Sequence, residues 1–184
     1  MSTEAIYVIE LLGKQHDRAA FSCGVDQLDR YFRQQAGQEG RRHVANCFVA
    51  VDQTTGTIGG FYTLSATAVI FDSLPETFAK KLPRYPEVPA ALVGRLAVDL
   101  RHRGKRLGET LLLDAMRRTL QSGIAAAVLV VDPKDEQAAR FYHRYGFLDI
   151  GPGQTRLYMP VTEIAKTFLQ ATDDQQDPNH RPRP

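Results

Sequence analysis

The sequence predicts an α/β fold built on a mixed sheet, and three observations support that class. AAAVLVVD, residues 125–132, is a continuous apolar run of the kind buried in a parallel sheet. Helix-patterned stretches, ETLLLDAMRRTLQ and DEQAARFYHRYG, stand on either side of it. Upstream, VANCFVAVD and TIGGFYTLSA read as a β-hairpin, which adds antiparallel strands to the parallel unit.

The elements follow in chain order. CGVDQLDRYFRQQA spaces Val25, Leu28, Phe32 and Ala36 three and four apart, the stripe of an amphipathic helix. Asp26, Asp29, Arg30 and Arg33 are expected off that stripe. The hairpin comes next, turning at Thr54–Gly56. DSLPETFAKKLPRYPEVPAA then allows a short helix between Pro75 and Pro83 before a proline-punctuated loop. ALVGRLAVD is a further strand and runs straight into RHRGKRLG. Leu107, Leu111, Leu112, Ala115, Met116 and Leu120 recur at helical spacing, with Gly123 as a stop. AAAVLVVD is the buried strand, and the helix after it ends at Gly146. FLDI and TRLYMPV supply a closing pair of strands. A single domain over residues 1–168 is expected, with a polar, proline-bearing and disordered tail over 169–184.

Composition limits the function. A hydrophobic fraction of 43% and a charged fraction of 24% describe an ordinary globular chain, and a net charge of +2 leaves nucleic-acid binding to local clustering. Cys23 and Cys47 offer neither metal spacing nor a disulfide framework, so no metal is expected. The N-terminus has no signal-peptide pattern and no apolar run reaches the roughly 18 residues a membrane span needs. A cytoplasmic, membrane-free protein is expected.

RHRGKRLGETLL, residues 101–112, is the segment with chemistry in it. A strand that runs into glycines and then a helix is the general geometry of a phosphate site, because the first-turn N–H groups lack intrahelical partners and the dipole adds positive charge. Gly104 and Gly108 open the backbone, and Arg103, Lys105 and Arg106 add charge. On glycines and charge alone, a solvated basic loop fits equally well. GxxxxGK[ST] and GxGxxG are both absent.

The frame Arg103-Gly104-Lys105-Arg106-Leu107-Gly108 resembles the pyrophosphate-binding motif of the GNAT family of N-acetyltransferases, Gln/Arg-x-x-Gly-x-Gly/Ala, with Arg106 where the central glycine is usual. DEQAARFYHRYGF resembles the same family's later helix, which carries Phe-Tyr and ends in Gly-Phe. The resemblance spans residues 45–160 and implies a mostly antiparallel mixed sheet whose central parallel pair splays apart, flanked by helices. It further implies acetyl-coenzyme A as acetyl donor, held by the main chain of Leu96, Ala97 and Val98 and by the loop Arg103, Gly104, Lys105, Arg106, Leu107 and Gly108. Val98 N–H would face the oxyanion, and Tyr142 would take the general-acid position beside the leaving thiolate. With reference pKa values near 10 and 8.5, full proton transfer from tyrosine to the thiolate is uphill by about 2 kcal/mol, which makes Tyr142 a hydrogen-bond donor. Glu10, Asp99 and Glu109 are near enough in sequence to be bases, and nothing selects among them.

A narrower resemblance lies at the N-terminal side. Phe21, Cys23, Gly24, Leu28, Asp29 and Tyr31 match the F-x-C-G-x-x-x-L-D-x-Y/F segment of the GNAT toxins of bacterial toxin–antitoxin pairs. That subgroup acetylates the α-amine of aminoacyl-tRNA, blocks translation, and is neutralised by a ribbon–helix–helix antitoxin that also makes the contact with operator DNA. Dimers are common in it. On this reading Arg33, Arg41, Arg42, Arg84 and Arg95 are RNA-contact residues, with His43, Lys80, Lys81 and Arg106 adding charge. Two other readings stand beside it: a GNAT acting on a small-molecule or protein amine, and a degenerate GNAT fold that only binds a partner.

Overall fold

The computed structural model describes residues 6–176. Its strands are β1 (Tyr7–Leu11), β2 (Asn46–Asp52), β3 (Ile58–Ile70), β4 (Glu87–Val98), β5 (Val128–Val131), β6 (Leu148–Asp149) and β7 (Leu157–Pro160). Its helices are α1 (Asp26–Gln34), α2 (Ala36–Arg41), α3 (Glu76–Ala79), α4 (Leu107–Gln121), α5 (Glu136–Arg144) and α6 (Val161–Gln176). One sheet holds all seven strands in the order β1-β2-β3-β4-β5-β7-β6. Every neighbouring pair is antiparallel except β4 and β5.

Alternation along β2 sorts its side chains to the two faces. Cys47 and Val49 point to α1 and α2, where they meet Phe21, Tyr31, Phe32 and Ala36. Phe48 and Ala50 point the other way, into a cluster with Leu111, Leu112 and Ala115 of α4 and Ile164 of α6. β5 is apolar on both faces: Leu129 and Val131 join the α4 cluster, Val128 and Val130 a third with Leu74 and Ile150. A strand buried on both sides therefore reads as an unbroken apolar run.

The sheet opens at its centre. Parallel pairing of β4 with β5 runs from Ala90↔Val128 to Val93↔Val131 and stops, while β4 continues through Val98. At the same point the β3–β4 register shifts, since Leu64 faces Val93 and Thr63 faces Arg95. Gly94 is the extra residue, and a β-carbon there would sit 3.1 Å from Thr63 Oγ1. A bulge bends its strand and increases the local twist, so β4 turns away from β5 where the bulge sits.

Three differences from the sequence reading have physical causes. β1 was not anticipated: YVIEL lacks strict alternation, and its strand is defined by pairing with β2 from Tyr7↔Asp52 to Leu11↔Phe48. Asp29, expected off the apolar stripe, is 2% exposed. Its carboxylate accepts from Cys23 N–H at 2.8 Å and Ser22 Oγ–H at 2.9 Å, bonds that tie α1 to the turn before it. Finally, α6 runs through residues 169–176, which were expected to be disordered. After Leu169 and Ala171 this stretch is polar, so it extends the helix without leaving an apolar period to read. The remainder of the expected tail, 177–184, lies outside the described residues.

Candidate active site

The loop after β4 begins with a carboxylate that anchors it. Asp99 is 1% exposed and accepts from Ser22 N–H, Arg101 N–H and the Arg101 guanidinium at 2.8–3.0 Å. Burial alone would raise its pKa, but the Arg101 guanidinium and the two N–H groups outweigh it and hold it at about 2. His102 is also buried, its Nδ1 2.8 Å from the Tyr7 hydroxyl, so the start of the loop is pinned to β1. Arg103 donates from its guanidinium to Cys23 C=O at 2.8 Å, which links the loop to the turn before α1.

Gly104 then takes φ +77°, and Arg106 takes φ 55°, ψ 19° as the residue before α4. Left-handed backbone favours glycine, which is why a glycine motif fits here and why Arg106 stands out. Its N–H is retained in that conformation, while its exposed side chain makes a bidentate pair with Glu109 at 2.7 and 3.0 Å. No side chain caps α4, so its first N–H groups face outward. They open on a groove of about 670 Å³ bounded by Val98, Arg103, Gly104, Gly108 and, from α5, Phe141 and Arg144.

A smaller cleft of about 90 Å³ lies in the splay, lined by Leu28, Gly94, Arg95, Leu96, Asp132, Lys134 and Tyr142. Groove and cleft share the same two walls. Val98 lines the groove and Leu96 the cleft; Phe141 lines the groove and Tyr142 the cleft. The exposed edge of β4 thus runs from one into the other.

The direction of the main chain follows from three contacts. Asp99 N–H donates to Gly59 C=O at 2.8 Å, and Arg95 N–H donates to Thr63 Oγ1 at 3.1 Å, both toward β3. Ala97 C=O also faces β3, 2.9 Å from where a Gly60 β-carbon would be. Residues 95, 97 and 99 therefore point their polar groups to β3, and alternation turns those of Leu96 and Val98 into the opening. Ala97, expected beside them, pairs with Phe61 of β3 instead.

Tyr142 is 8% exposed and packs edge-to-face with Phe141 and Phe147. Burial pushes its hydroxyl up to about 12. Arg95 lies 3.6 Å above the Tyr31 ring, which fixes its guanidinium at the cleft. Of the other basic residues expected together, Arg33 sits on α1 with Nε bonded to Asp29 C=O, and Arg41 lines a separate concavity near α2. Arg42 ends α2 and Arg84 lies in the loop before β4, and neither lines cleft or groove. Lys105 is also absent from the groove lining; its charge acts on Asp52 and His102.

Each of the three acidic residues near in sequence has a partner. Glu10 bonds His16 at 2.7 Å, Glu109 is held by Arg106, and Asp99 is enclosed. The carboxylate that does line the cleft is Asp132, in a two-point pair with Arg156 at 2.7 Å. Its position just past the carboxyl end of a parallel strand was the available signal, since open α/β sheets bind ligands there. Among the described residues there is no group of three or more metal-ligating side chains and no helix long and apolar enough to cross a membrane.

Comparison with known proteins bears on this geometry. The family model described as acetyltransferase (GNAT) matches residues 11–147. A protein of Sinorhizobium fredii named "Probable toxin TacT" is 30% identical over 159 residues, covering 82% of this chain and 88% of that one. One of Mycobacterium tuberculosis named "tRNA-acetylating toxin" is 33% identical over 155 residues, covering 83% and 90%. A solved structure described as AtaT complexed with acetyl-methionyl-tRNAfMet superposes with a TM-score of 0.81 at 26% identity, covering 89% and 99%.

Proposed function

Since this chain belongs to the acetyltransferase (GNAT) family, we propose that it moves an acetyl group from acetyl-coenzyme A to the α-amine of an aminoacyl-tRNA and acts as a toxin that blocks translation. The observation behind the reading is the continuous β4 edge, which joins the groove at the α4 N-terminus to a cleft with a buried tyrosine. The aminoacyl-tRNA acceptor is supported by the relatives' names, one of which is a tRNA-acetylating toxin. The same reading includes a cytoplasmic setting, a homodimer and a ribbon–helix–helix antitoxin through which operator DNA is contacted.

In this proposal the α4 N-terminus, Gly104 and the Arg103 and Arg144 side chains hold the pyrophosphate. The N–H of Val98 faces the thioester oxygen and stabilises the oxyanion that develops there. The neutral amine attacks and forms the C–N bond, the C–S bond breaks while Tyr142 donates a hydrogen bond to the sulfur as charge builds on it, and the proton shed by the nitrogen passes through solvent to the departing thiolate. With a phenol at about 12 against a thiol near 8.5, complete transfer is uphill by about 5 kcal/mol, so Tyr142 stabilises the leaving group without becoming a phenolate. An α-amine suits a cleft whose one carboxylate is engaged, because chain amines near 8 are partly neutral at pH 7 and aminoacyl esters more so.

The test is to incubate the protein with charged tRNA and labelled acetyl-coenzyme A. Label on the aminoacyl end is expected; label confined to polyamines or lysine peptides overturns the reading. Tyr142→Phe should lower kcat by roughly 100-fold with acetyl-coenzyme A affinity within a few-fold of wild type. The pH profile should rise with deprotonation of the acceptor amine and show no descending limb from Tyr142 below about pH 11, because its proton is held up to about 12. Growth arrest that survives Tyr142→Phe counts against acetylation as its cause.

A further inference from the structure

The pair Asp132–Arg156 is built on the sheet. Pairing of β5 with β7 ends at Val131↔Leu157, and one step further the register sets Asp132 opposite Arg156. Alternation carries both to the face of Val130 and Tyr158, which pack in the third cluster, away from α4. That is the face covered by α1, whose Leu28 lines the same cleft. Tyr142 belongs to the α4 cluster, so carboxylate and phenol close the cleft from opposite faces with the splay between them. The groove bounded by α4 and α5 is on the Tyr142 side. A molecule lying in the groove meets Tyr142, and one that reaches the splay from the α1 side meets Asp132.

Arg156 both aims the carboxylate and neutralises it. Its Nε and Nη2 donate to the two oxygens at 2.7 Å each, the parallel two-point arrangement. A carboxylate has about four lone-pair sites, so two remain, and the Asp132 side chain is half-exposed. The other charged or titratable groups on the cleft wall are Arg95, Lys134 and Tyr142. Arg95 lies over the Tyr31 ring, and Lys134 pairs with Asp135 at 3.5 Å. Arginine and lysine have no acceptor atom, which leaves Asp132 as the carboxylate that an incoming N–H can reach.

We propose that Asp132 accepts an N–H of the acceptor amine, and that Arg156 is a positioning residue that aims this carboxylate and cancels its charge. The identity of that amine rests on the reading of the acceptor as an aminoacyl-tRNA. An isolated carboxylate beside an amine favours the ammonium form, whose nitrogen has no lone pair for attack. A carboxylate already paired with a guanidinium keeps its directional lone pairs while most of its field is cancelled. It therefore orients the neutral amine without trapping it as ammonium. One N–H is held by Asp132 while the nitrogen lone pair points into the splay toward the thioester. The proton shed after attack leaves through solvent, as in the mechanism above.

The test compares wild type, Asp132→Asn and Arg156→Gln in two measurements. Without coenzyme present, binding of labelled charged tRNA is set against binding of the same tRNA uncharged. Asp132→Asn should bind the charged form roughly tenfold more weakly and the uncharged form as wild type does, since only the charged form carries the amine. The second measurement is the pH dependence of acetylation at saturating acetyl-coenzyme A. Its rising limb should move up by roughly one pH unit in Arg156→Gln, where the unpaired carboxylate favours the ammonium, and should not move up in Asp132→Asn. The pair is exposed enough for both variants to keep Tm within a few degrees of wild type. Wild-type binding of charged tRNA by Asp132→Asn, or a limb that stays in place in Arg156→Gln, overturns the proposal. So does equal weakening toward both forms of tRNA, which marks the pair as a clip between β5 and β7. Weaker acetyl-coenzyme A binding at unchanged tRNA binding also overturns it, by assigning Asp132 to the coenzyme. If the wild type acetylates polyamines or lysine peptides instead, the acceptor reading falls. An upward limb in Arg156→Gln with that amine then upholds the part given to Asp132, and its absence sinks it.

Discussion

Arg106 departs from the motif in residue type and keeps the backbone conformation that a glycine would adopt there. The motif uses glycine there because the backbone is left-handed, at φ 55°. On the proposed reading, what the groove takes from this position is an N–H, and arginine supplies that as glycine does. The side chain is turned to Glu109. Arg106→Gly is therefore expected to relieve backbone strain and raise Tm by roughly 2–4 °C, offset slightly by loss of an exposed ion pair. The acetyl-coenzyme A KM should stay within a few-fold of wild type. A large rise in KM at unchanged Tm would show instead that the guanidinium binds the coenzyme. Asp29 is the opposite case. Its helical position predicts exposure, yet backbone and hydroxyl donors from Ser22 and Cys23 hold it buried. That is a contact between segments, which a helical period cannot show.

At the scale of elements, the loop after β4 depends on Asp99. Its folded pKa of about 2 lies below the ordinary value of 3.8, so its stabilising effect is complete above about pH 4 and is lost as pH falls toward 2. The difference corresponds to about 2 kcal/mol. Asp99→Asn should lower stability at neutral pH by that order and flatten the acid limb of a stability–pH curve. Equal acid limbs in the two proteins would mean that Asp99 does not couple to folding. The same carboxylate holds Ser22 N–H, so its loss should loosen the turn before α1 as well as the anion loop. The strand itself was visible in ALVGRLAVD, but the bulge that turns it away from β5 was not. Gly94 becomes an inserted residue only once Thr63 and Leu64 are its neighbours.

At the scale of the whole molecule, α6 tests whether the chain behaves as one unit. Ile164 is 0% exposed and lies in the cluster with Leu111, Leu112 and Leu129. Ile164→Ala should cost about 2–5 kcal/mol and lower Tm by roughly 5–15 °C, with a single unfolding transition retained. Two separated transitions would show that α6 and the sheet unfold independently. By itself the sequence determined the order of the main strands and helices, the glycine loop ahead of α4, and the Phe-Tyr pair of α5. Each is written in local periodicity or spacing, which the backbone obeys whatever surrounds it. Tertiary structure decided what those features face. It turned Leu96 and Val98 to the opening and Ala97 to β3, and it enclosed Asp99. It left Arg33, Arg42 and Arg84 out of the lining of the cleft, and brought Arg41 to Arg18 across a glycine. Facing depends on register, a bulge and the packing of distant segments, so it exists only once the sheet has formed.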